Sequence, residues 1–358
     1  MPTLVLPNIN MKEPIDYSMA ALASCEDPRV LGLRLKHPPL DAFLSQFTDA
    51  FQVPVRPSII LVRSDAPSNF MDMGAIASFR DVISMSVLPY QRALQFQYPN
   101  NPRILYSNSF ALYPWYLGAD NETLVLNTDA VLGAHRPDKF HGQSSPELSS
   151  HRLDKSDLDI PILEALLVRW RIRYGGRRVA WADRALFRSL NMANQASQIP
   201  ATADATLHDR GRSIALWISA CEILVHPGRK MKSSRNLVLE LLEKVNWETR
   251  FCGRRVYSVK EHRKPSTRRV FACWLYDRMY WLRNQFLHGN PVTVAQLKLK
   301  GTNAAPIWFY GPILYRLALT AFLDLSLKLE KRSMDNWEIS GRQGAIEQGL
   351  RTARGIKE

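Results

Sequence analysis

The second half of the chain carries apolar residues at three- and four-residue spacing and almost no strand-like alternation. This spacing extends from Leu158 to Lys331 and includes the segments PILEALLVRWRIRY, SIALWISACEILVHPG and FACWLYDRMYWLRNQFLHG. It places the apolar side chains on one face of each helix, and such faces become buried when the helices pack together. We therefore predict an all-α bundle over residues 158–335, followed by a polar tail over residues 336–358.

The first 150 residues have a different character. The short β-branched or aromatic runs SIILVR, RILYS and TLVLNT are separated by Pro, Asn and Asp, and helical spacing is confined to LDAFLSQFTDAF and the region of AIASFRDVISMSVL. The polar segment 135–157 has few apolar residues and is typical of a linker. The sequence thus predicts an α+β chain, in which a mixed α/β domain over residues 1–150, with a sensor or regulatory role, precedes the bundle.

The charge balance favours a polyanionic partner. The chain has 358 residues and a net charge of +14, from 47 Lys and Arg against 33 Asp and Glu. An excess of this size attracts RNA or DNA through electrostatic steering and counterion release. Charge by itself is explained equally well by a soluble protein from a host whose proteins are basic.

Cysteine usage and hydropathy predict a cytoplasmic protein without a metal or cofactor. The four cysteines form no CxxC pair and no Cys/His spacing suited to zinc, which is typical of reduced thiols. The N-terminal residues MPTLVLPNINMKEP lack the basic and apolar regions of an export signal. No stretch approaches about 18 uncharged apolar residues, so no contact with the membrane interior is expected.

The segment RNQFLHG, residues 283–289, is the strongest candidate for a chemical site. On its helix, Phe271, Leu275, Met279, Leu282 and Phe286 recur every three or four positions and predict the buried stripe. This assignment also places the other residues of the helix. Asp277, Trp281, Asn284 and His288 project from the opposite side, Arg283 lies on the flank, and Gly289 with Pro291 ends the helix.

These residue types suit cleavage of RNA without a metal. A histidine in the last turn of a helix is favoured in its protonated form by the helix dipole and can exchange protons with a ribose hydroxyl or a leaving alkoxide. Arg283 offers a planar set of donors for a phosphate, and the amide of Asn284 can orient the imidazole or the phosphate. No carboxylate cluster for Mg²⁺ accompanies them.

Structural roles explain the same residues. A histidine before a glycine at a helix end commonly binds the last carbonyl groups, and an arginine commonly pairs with a surface acid. The segment RPDKFHG, residues 136–142, reproduces the spacing inside the predicted linker. Proline after Arg136 and the lack of apolar periodicity argue against a helix there.

With its helical context, RNQFLHG resembles the Apea-like branch of the HEPN superfamily, small helical bundles that often act as ribonucleases in prokaryotic defence. The resemblance depends on Arg283-Asn284, His288-Gly289 and the segment Ala220-Cys221-Glu222, and it covers about residues 180–331. It implies a homodimer in which two motif helices face one another, with Arg283 and His288 catalytic. It assigns Asn284 to the position after the arginine, and Glu222 to a supporting position on the upstream helix.

Other residues have two interpretations each. Tyr280 and Trp281 are suited to stacking on RNA bases, and equally to a dimer interface. Arg177 and Arg178 extend a run that begins with Arg169, Arg171 and Arg173. This run is either an RNA-binding track or a solvated helix face.

Three hypotheses result. The first is a metal-independent endoribonuclease that cleaves single-stranded RNA in prokaryotic defence or as a toxin. The second is a non-catalytic module that binds RNA or acts as a dimeric scaffold. The third is a regulator bound to an antitoxin or another partner, in which the motif serves only as an interface.

Overall fold

The structure, a computed structural model, divides the chain into two compact units. One unit contains Met1–Ala77 and Tyr106–Asp157, and the other contains Ser78–Leu105 and Leu158–Glu358. The second unit therefore takes a segment from within the first 150 residues. The residues that the structure describes are 4–49, 51–98, 100, 105–118, 123–126, 134–136, 151–176, 178–199, 204–228, 231, 234–260, 265–299, 305–325 and 336–353.

The first unit is built on short strands. They are β1 (Leu4–Leu6), β2 (Ile9–Met11), β3 (Ile15–Tyr17), β4 (Ala20–Ser24), β5 (Ser58–Val62), β6 (Trp115–Leu117), β7 (Leu124–Leu126), β8 (Ala134–Arg136) and β9 (His151–Leu153). An antiparallel sheet has the order β1-β5-β4-β3, and β6-β7-β8 form a second antiparallel sheet. Strand β2 pairs in parallel with β9, so the last strand of this unit returns to its beginning.

Two helices complete the core of the first unit. They are α1 (Pro28–Lys36), whose N-terminus is capped by the Asp27 carboxylate, and α2 (Pro38–Ser45). Phe43 and Phe47 are fully buried and pack edge to face, with ring centroids 5.3 Å apart. Val5, Ile59, Leu117 and Leu124 join this core. Their burial explains why the short strands remain paired, since isolated hairpins of this length are marginal in water.

Nine helices contribute to the described part of the second unit. They are α3 (Met73–Gln97, of which the first residues belong to the first unit), α4 (Ile160–Gly175), α5 (Trp181–Ala196), α6 (Leu207–Leu224), α7 (Arg235–Leu242), α8 (Arg250–Gly253), α9 (Phe271–Leu287), α10 (Gly311–Phe322) and α11 (Asn336–Ala353). A hairpin of β10 (Tyr257–Val259) and β11 (Thr267–Arg269) lies before α9. Helix α6 packs against both α5 and α9.

Close approach at α6 depends on small residues. An added Cβ at Gly211 would lie 2.6 Å from the Phe286 ring of α9. Contacts of a real Cβ atom are longer than 2.6 Å, so glycine at position 211 is required for α9 to pack this close to α6. On another face of the bundle, Phe79 of α3 packs against Trp170 of α4, with centroids 5.1 Å apart.

A buried polar network joins α11 to the bundle. Arg316, 3% exposed, donates from Nε to Asp159 at 2.9 Å and also bonds the Gln343 side chain. Gln343 donates to Glu347 at 2.9 Å. The fully buried Glu347 carboxylate accepts the backbone N–H groups of residues 248 and 249, each at 2.8 Å. Such a network is tolerated in a core because Arg316 is paired with Asp159 and the Glu347 carboxylate accepts several hydrogen bonds.

Several sequence predictions are confirmed. The chain is α+β, SIILVR and TLVLNT contain β5 and β7, and AIASFRDVISMSVL lies within α3. The helix predicted over LDAFLSQFTDAF is only partly confirmed, because α2 ends at Ser45. The Asp49 side chain then accepts the backbone N–H groups of Phe51 and Val53, at 2.8 and 3.0 Å. This local bonding replaces the hydrogen bonds of a continued helix.

Three predictions need correction. The second half is not purely helical, because the basic connection before α9 pairs as β10 and β11. The expected polar tail forms α11, which buries Ile346 and Leu350 and holds its polar side chains in the network. The expected strand RILYS ends in an irregular segment, since Leu105 and Tyr106 lead into a 3₁₀ turn at Ser107–Phe110; residues 103 and 104 lie outside the described residues.

None of the helices among the described residues combines the length and apolarity that crossing a bilayer requires.

Candidate functional site

Helix α9 ends in a backbone arrangement centred on Gly289. His288 is the C-cap residue and Gly289 adopts φ +70°. The N–H of Gly289 bonds the carbonyl of Phe286, and the N–H of Asn290 bonds the carbonyl of Gln285 at 2.9 Å. These two bonds define a Schellman motif, which only a residue tolerant of positive φ completes without strain. The predicted end of the helix is therefore confirmed, and it fixes the backbone of His288.

The predicted faces of α9 are also found. Phe271, Leu275, Met279 and Leu282 are buried, whereas Phe286 is half-buried against α6. The predicted outer side is half-buried at Asp277, Trp281 and Asn284, and exposed at His288. Exposure on this side of α9 is therefore greatest at the end of the helix that carries His288.

Arg283 is held by three neighbours. Its Nη1 donates to Oδ1 of Asn284 at 3.0 Å, its Nη2 lies 4.0 Å from Oε2 of Glu222, and its guanidinium carbon lies 5.7 Å from the centre of the Tyr280 ring. The side chain is 26% exposed. Its Nε is buried and has no hydrogen-bond partner within the described part of the chain. The Arg283 guanidinium is thus partly exposed while its position is restricted.

Glu222 is the acidic neighbour that the resemblance implied. It lies near the C-terminal end of α6, with its side chain 20% exposed. Burial raises the pKa of this carboxyl group above its ordinary value, and Arg283 opposes the shift. The 4.0 Å separation makes this an ion pair and not a hydrogen bond. Glu222 is therefore placed to position Arg283 electrostatically.

The His288 side chain is exposed. In the part of the chain that the structure describes, no hydrogen bond or ion pair holds its imidazole. Only its backbone takes part in the helix end, by donating to the carbonyl of Asn284 at 3.0 Å. Arg283 and His288 are therefore brought to one helix end without direct contact. Among the described residues, none competes with a ligand for the imidazole nitrogens.

Tyr280 and Trp281 each have a cationic neighbour. The guanidinium carbon of Arg235 lies 6.0 Å from the Tyr280 ring centre, and that of Arg278 lies 4.3 Å from the Trp281 ring centre. Arg235 also donates to Asp277 at 2.7 Å. Sequence reasoning missed Arg235, which lies on α7 and has no local signal linking it to α9. Arg278 stands three residues before Trp281, a helical spacing that pairs side chains and was detectable.

The arginines of the predicted RNA-binding track differ in their surroundings. Arg178 is exposed, and Arg177 lies outside the described residues. Arg169 pairs with Asp183 at 3.2 Å, and Arg173 lies over the neighbouring Tyr174 ring. Two of its arginines therefore already have intramolecular partners. Most of the second motif copy, residues 137–142, is also outside the described residues, and only Arg136 falls within a strand, β8.

Among the described residues, no group of three or more His, Cys, Asp or Glu side chains is arranged to hold a metal ion. Comparisons with protein-family models, with curated proteins and with solved structures gave no match.

Proposed function

We propose that this chain is a metal-independent endoribonuclease of the HEPN type, acting on single-stranded RNA in the cytoplasm as part of prokaryotic defence or a toxin system. The observation that carries the proposal is the end of α9. There, an exposed imidazole that no other described residue bonds shares one helix end with a partly exposed guanidinium restrained by Asn284. An exposed imidazole supports proton transfer better than it supports a structural cap.

The proposed reaction is a transesterification within the RNA. The ribose 2′ oxygen attacks the adjacent phosphorus and loses its proton, and the bond from phosphorus to the 5′ oxygen breaks. The leaving 5′ oxygen takes a proton, which gives a 2′,3′-cyclic phosphate and a 5′ hydroxyl. His288 serves in the proton transfers, Arg283 stabilises the charge that grows on the phosphate oxygens, and Asn284 orients Arg283 through their hydrogen bond.

The site is proposed to be completed by a second copy of the chain. Each protomer supplies one Arg283 and one His288, and the resemblance implies that the copies from two protomers line one cleft. Leu287, 59% exposed, is the last residue of α9, and Val294, 49% exposed, follows seven residues later in the chain. Apolar side chains exposed next to a polar site are typical of an interface. A homodimer would bring two copies of Arg283 and His288 to one cleft, with Tyr280, Trp281, Arg177 and Arg178 as candidate RNA contacts.

The test is cleavage of total cellular RNA by the purified chain in the presence of a chelator. We expect products with cyclic phosphate ends from the wild type and none from His288→Ala. The control is His37→Ala, which removes a histidine from the first unit and should retain activity. Equal activity of wild type and His288→Ala, or cleavage only when metal is added, would refute the mechanism.

A non-catalytic RNA-binding or scaffold module is the second candidate. The observation that favours it is the pairing of Arg283 with Glu222 and Asn284, which a purely structural arginine would also show. It predicts salt-sensitive RNA binding with no cleaved product. Recovery of a stoichiometric protein partner without RNA at low salt would instead indicate an antitoxin or regulatory complex.

A further inference from the structure

The first unit contains a polar cavity that the nuclease proposal does not use. It has a volume of about 260 Å³ and lies between strand β2, strand β9, the end of β4 and the start of α1. Three of its lining side chains are cationic, namely Lys12, Arg56 and Arg152. This size accommodates a small molecule and excludes a folded segment of another protein.

The strand pairing places two of these cations on one face. In β2, Ile9 and Met11 point into the core, so Asn10 and the following Lys12 lie on the outward side. Asn10 is paired in register with Arg152 of the parallel strand β9. Partners in a parallel ladder project to the same face, so an amide lies between two cationic side chains.

The acidic residues of the cavity are already engaged. The Asp27 carboxylate, 9% exposed, accepts Nε and Nη2 of Arg29 at 2.9 and 2.8 Å, and also caps the Arg29 backbone N–H. Because Arg29 donates to it, the pKa of Asp27 lies below its ordinary value. The second acid, Glu26, pairs with Arg56 at 2.6 Å.

The pair of Arg56 and Glu26 leaves Arg56 accessible to a ligand. Their side chains are 65% and 53% exposed, and ion pairs this exposed contribute little to stability. A more highly charged anion therefore competes for Arg56 at little cost. On the other wall, the Ser24 hydroxyl donates to Asn10 at 3.4 Å and holds the amide at the edge of the cavity.

We propose that this cavity binds the phosphate group of a small phosphomonoester. A terminal phosphate carries nearly two negative charges at neutral pH, and its three free oxygens match several donors at once. Lys12, Arg56, Arg152 and the Asn10 amide all line the cavity and can supply such donors. An internal phosphodiester has one charge and two free oxygens, so it satisfies the cavity less well. The inference does not depend on ribonuclease activity.

The test is calorimetric titration of the full chain with inorganic phosphate and with ribose 5-phosphate at low salt. We expect dissociation constants below about 1 mM, and a loss of at least about tenfold in the double variant Lys12→Ala, Arg152→Ala. The matched control is Lys155→Ala. It removes a neighbouring exposed cation that pairs with Glu13 at 2.8 Å and does not line the cavity.

Two further arms identify the source of the phosphate. Short RNAs with and without a 5′ phosphate are titrated into the His288→Ala chain. Preference for the phosphorylated RNA over ribose 5-phosphate would place the natural ligand at an RNA end, and equal binding would favour a free metabolite. The proposal is overturned if phosphate does not bind at about 10 mM, or if Lys155→Ala weakens binding as much as the double variant. Thermal unfolding of each variant verifies that the unit remains folded.

Discussion

The Arg283 guanidinium is restrained on two sides, by Asn284 on its own helix and by Glu222 on α6. A restrained donor group binds a transition state with less loss of conformational freedom than a mobile one. Arg283 therefore has two roles, one structural and one proposed to be chemical. Its geometry is set by neighbours within the protomer, whereas its proposed chemistry requires a substrate.

We expect Arg283→Ala to lower kcat/KM for a short single-stranded RNA by about a hundredfold or more, because phosphate charge loses a preorganised donor. Arg283→Lys should not restore the rate, since an ammonium lacks the planar set of donors. Asn284→Ala should cost about tenfold, because it removes one orienting hydrogen bond. Initial rates on one labelled RNA measure all three, and wild-type activity in Arg283→Lys would contradict the assignment.

Glu222 gives a pH-dependent prediction. Burial raises its pKa in the folded chain above the unfolded value of about 4.3, so the folded state holds the proton more tightly. Protonation of Glu222 therefore contributes to the free energy of unfolding. This contribution is fully present below about pH 4 and is lost as the pH rises through the raised pKa of the folded state.

Urea unfolding from pH 3.5 to 7 measures this effect. The unfolding free energy of the wild type, relative to Glu222→Gln, should fall as the pH rises over that range. A difference that stays constant with pH would show that Glu222 does not titrate differently in the two states.

The site was only partly predictable at this scale. The end of α9 at His288 followed from Gly289 and Pro291, because these residues act through local backbone conformation. The pairing of Arg235 with Asp277 was not predictable, since it depends on how α7 packs against α9. Exposure of the His288 imidazole also required the packed bundle.

At the scale of elements, Gly289 determines how α9 ends. Its φ of +70° is unfavourable for any residue with a Cβ, although an added Cβ would meet no atom within 4 Å. We expect Gly289→Ala to destabilise the chain by about 1 kcal/mol through backbone strain alone. Gly32→Ala is the matched control. This glycine lies inside α1, has no neighbour within 4 Å of an added Cβ and should gain up to about 1 kcal/mol.

Thermal unfolding followed by circular dichroism compares the two glycine variants. Opposite changes in midpoint temperature are expected. If both variants shift in the same direction, the strain at Gly289 does not control stability.

The attachment of α11 depends on Glu347. Its carboxylate accepts two backbone N–H groups at the start of α8, and no solvent replaces it at this fully buried position. We expect Glu347→Ala to lower the unfolding free energy by about 2 to 4 kcal/mol, because two part-buried backbone donors and the buried Gln343 amide lose their acceptor. Gln348→Ala, at a half-buried neighbouring position, should change it by less than about 0.5 kcal/mol. Chemical denaturation measures both, and equal effects would contradict the role of the carboxylate.

Elements were predicted well where periodicity was long and poorly where polar groups decided the outcome. The pattern in α3 and α9 was sufficient because many apolar positions agree on one face. Helix α11 was missed because its sequence is polar, and its buried polar side chains are compensated by partners that are distant in sequence. The β10–β11 hairpin was missed because its strands are only three residues long.

At the scale of the whole molecule, the proposed site requires two copies of the chain. Arg283→Ala and His288→Ala protomers are each expected to be inactive as homodimers. When they are mixed and allowed to exchange, heterodimers contain one intact arginine and one intact histidine in the shared cleft. We expect partial recovery of RNA cleavage, which rises with total protein concentration. Continued inactivity, with exchange verified by mass spectrometry, would argue against a shared cleft.

The second unit is discontinuous along the chain, and this has a consequence for synthesis. Phe79 is made well before its ring partner Trp170, with much of the first unit encoded between them. At a translation rate of about 5 to 20 residues per second, roughly 5 to 20 s pass between the synthesis of Phe79 and that of Trp170. During that interval the apolar side of the nascent helix is a substrate for chaperones. Slowed translation between these two positions would therefore lower the yield of folded protein more than the same delay placed after residue 170.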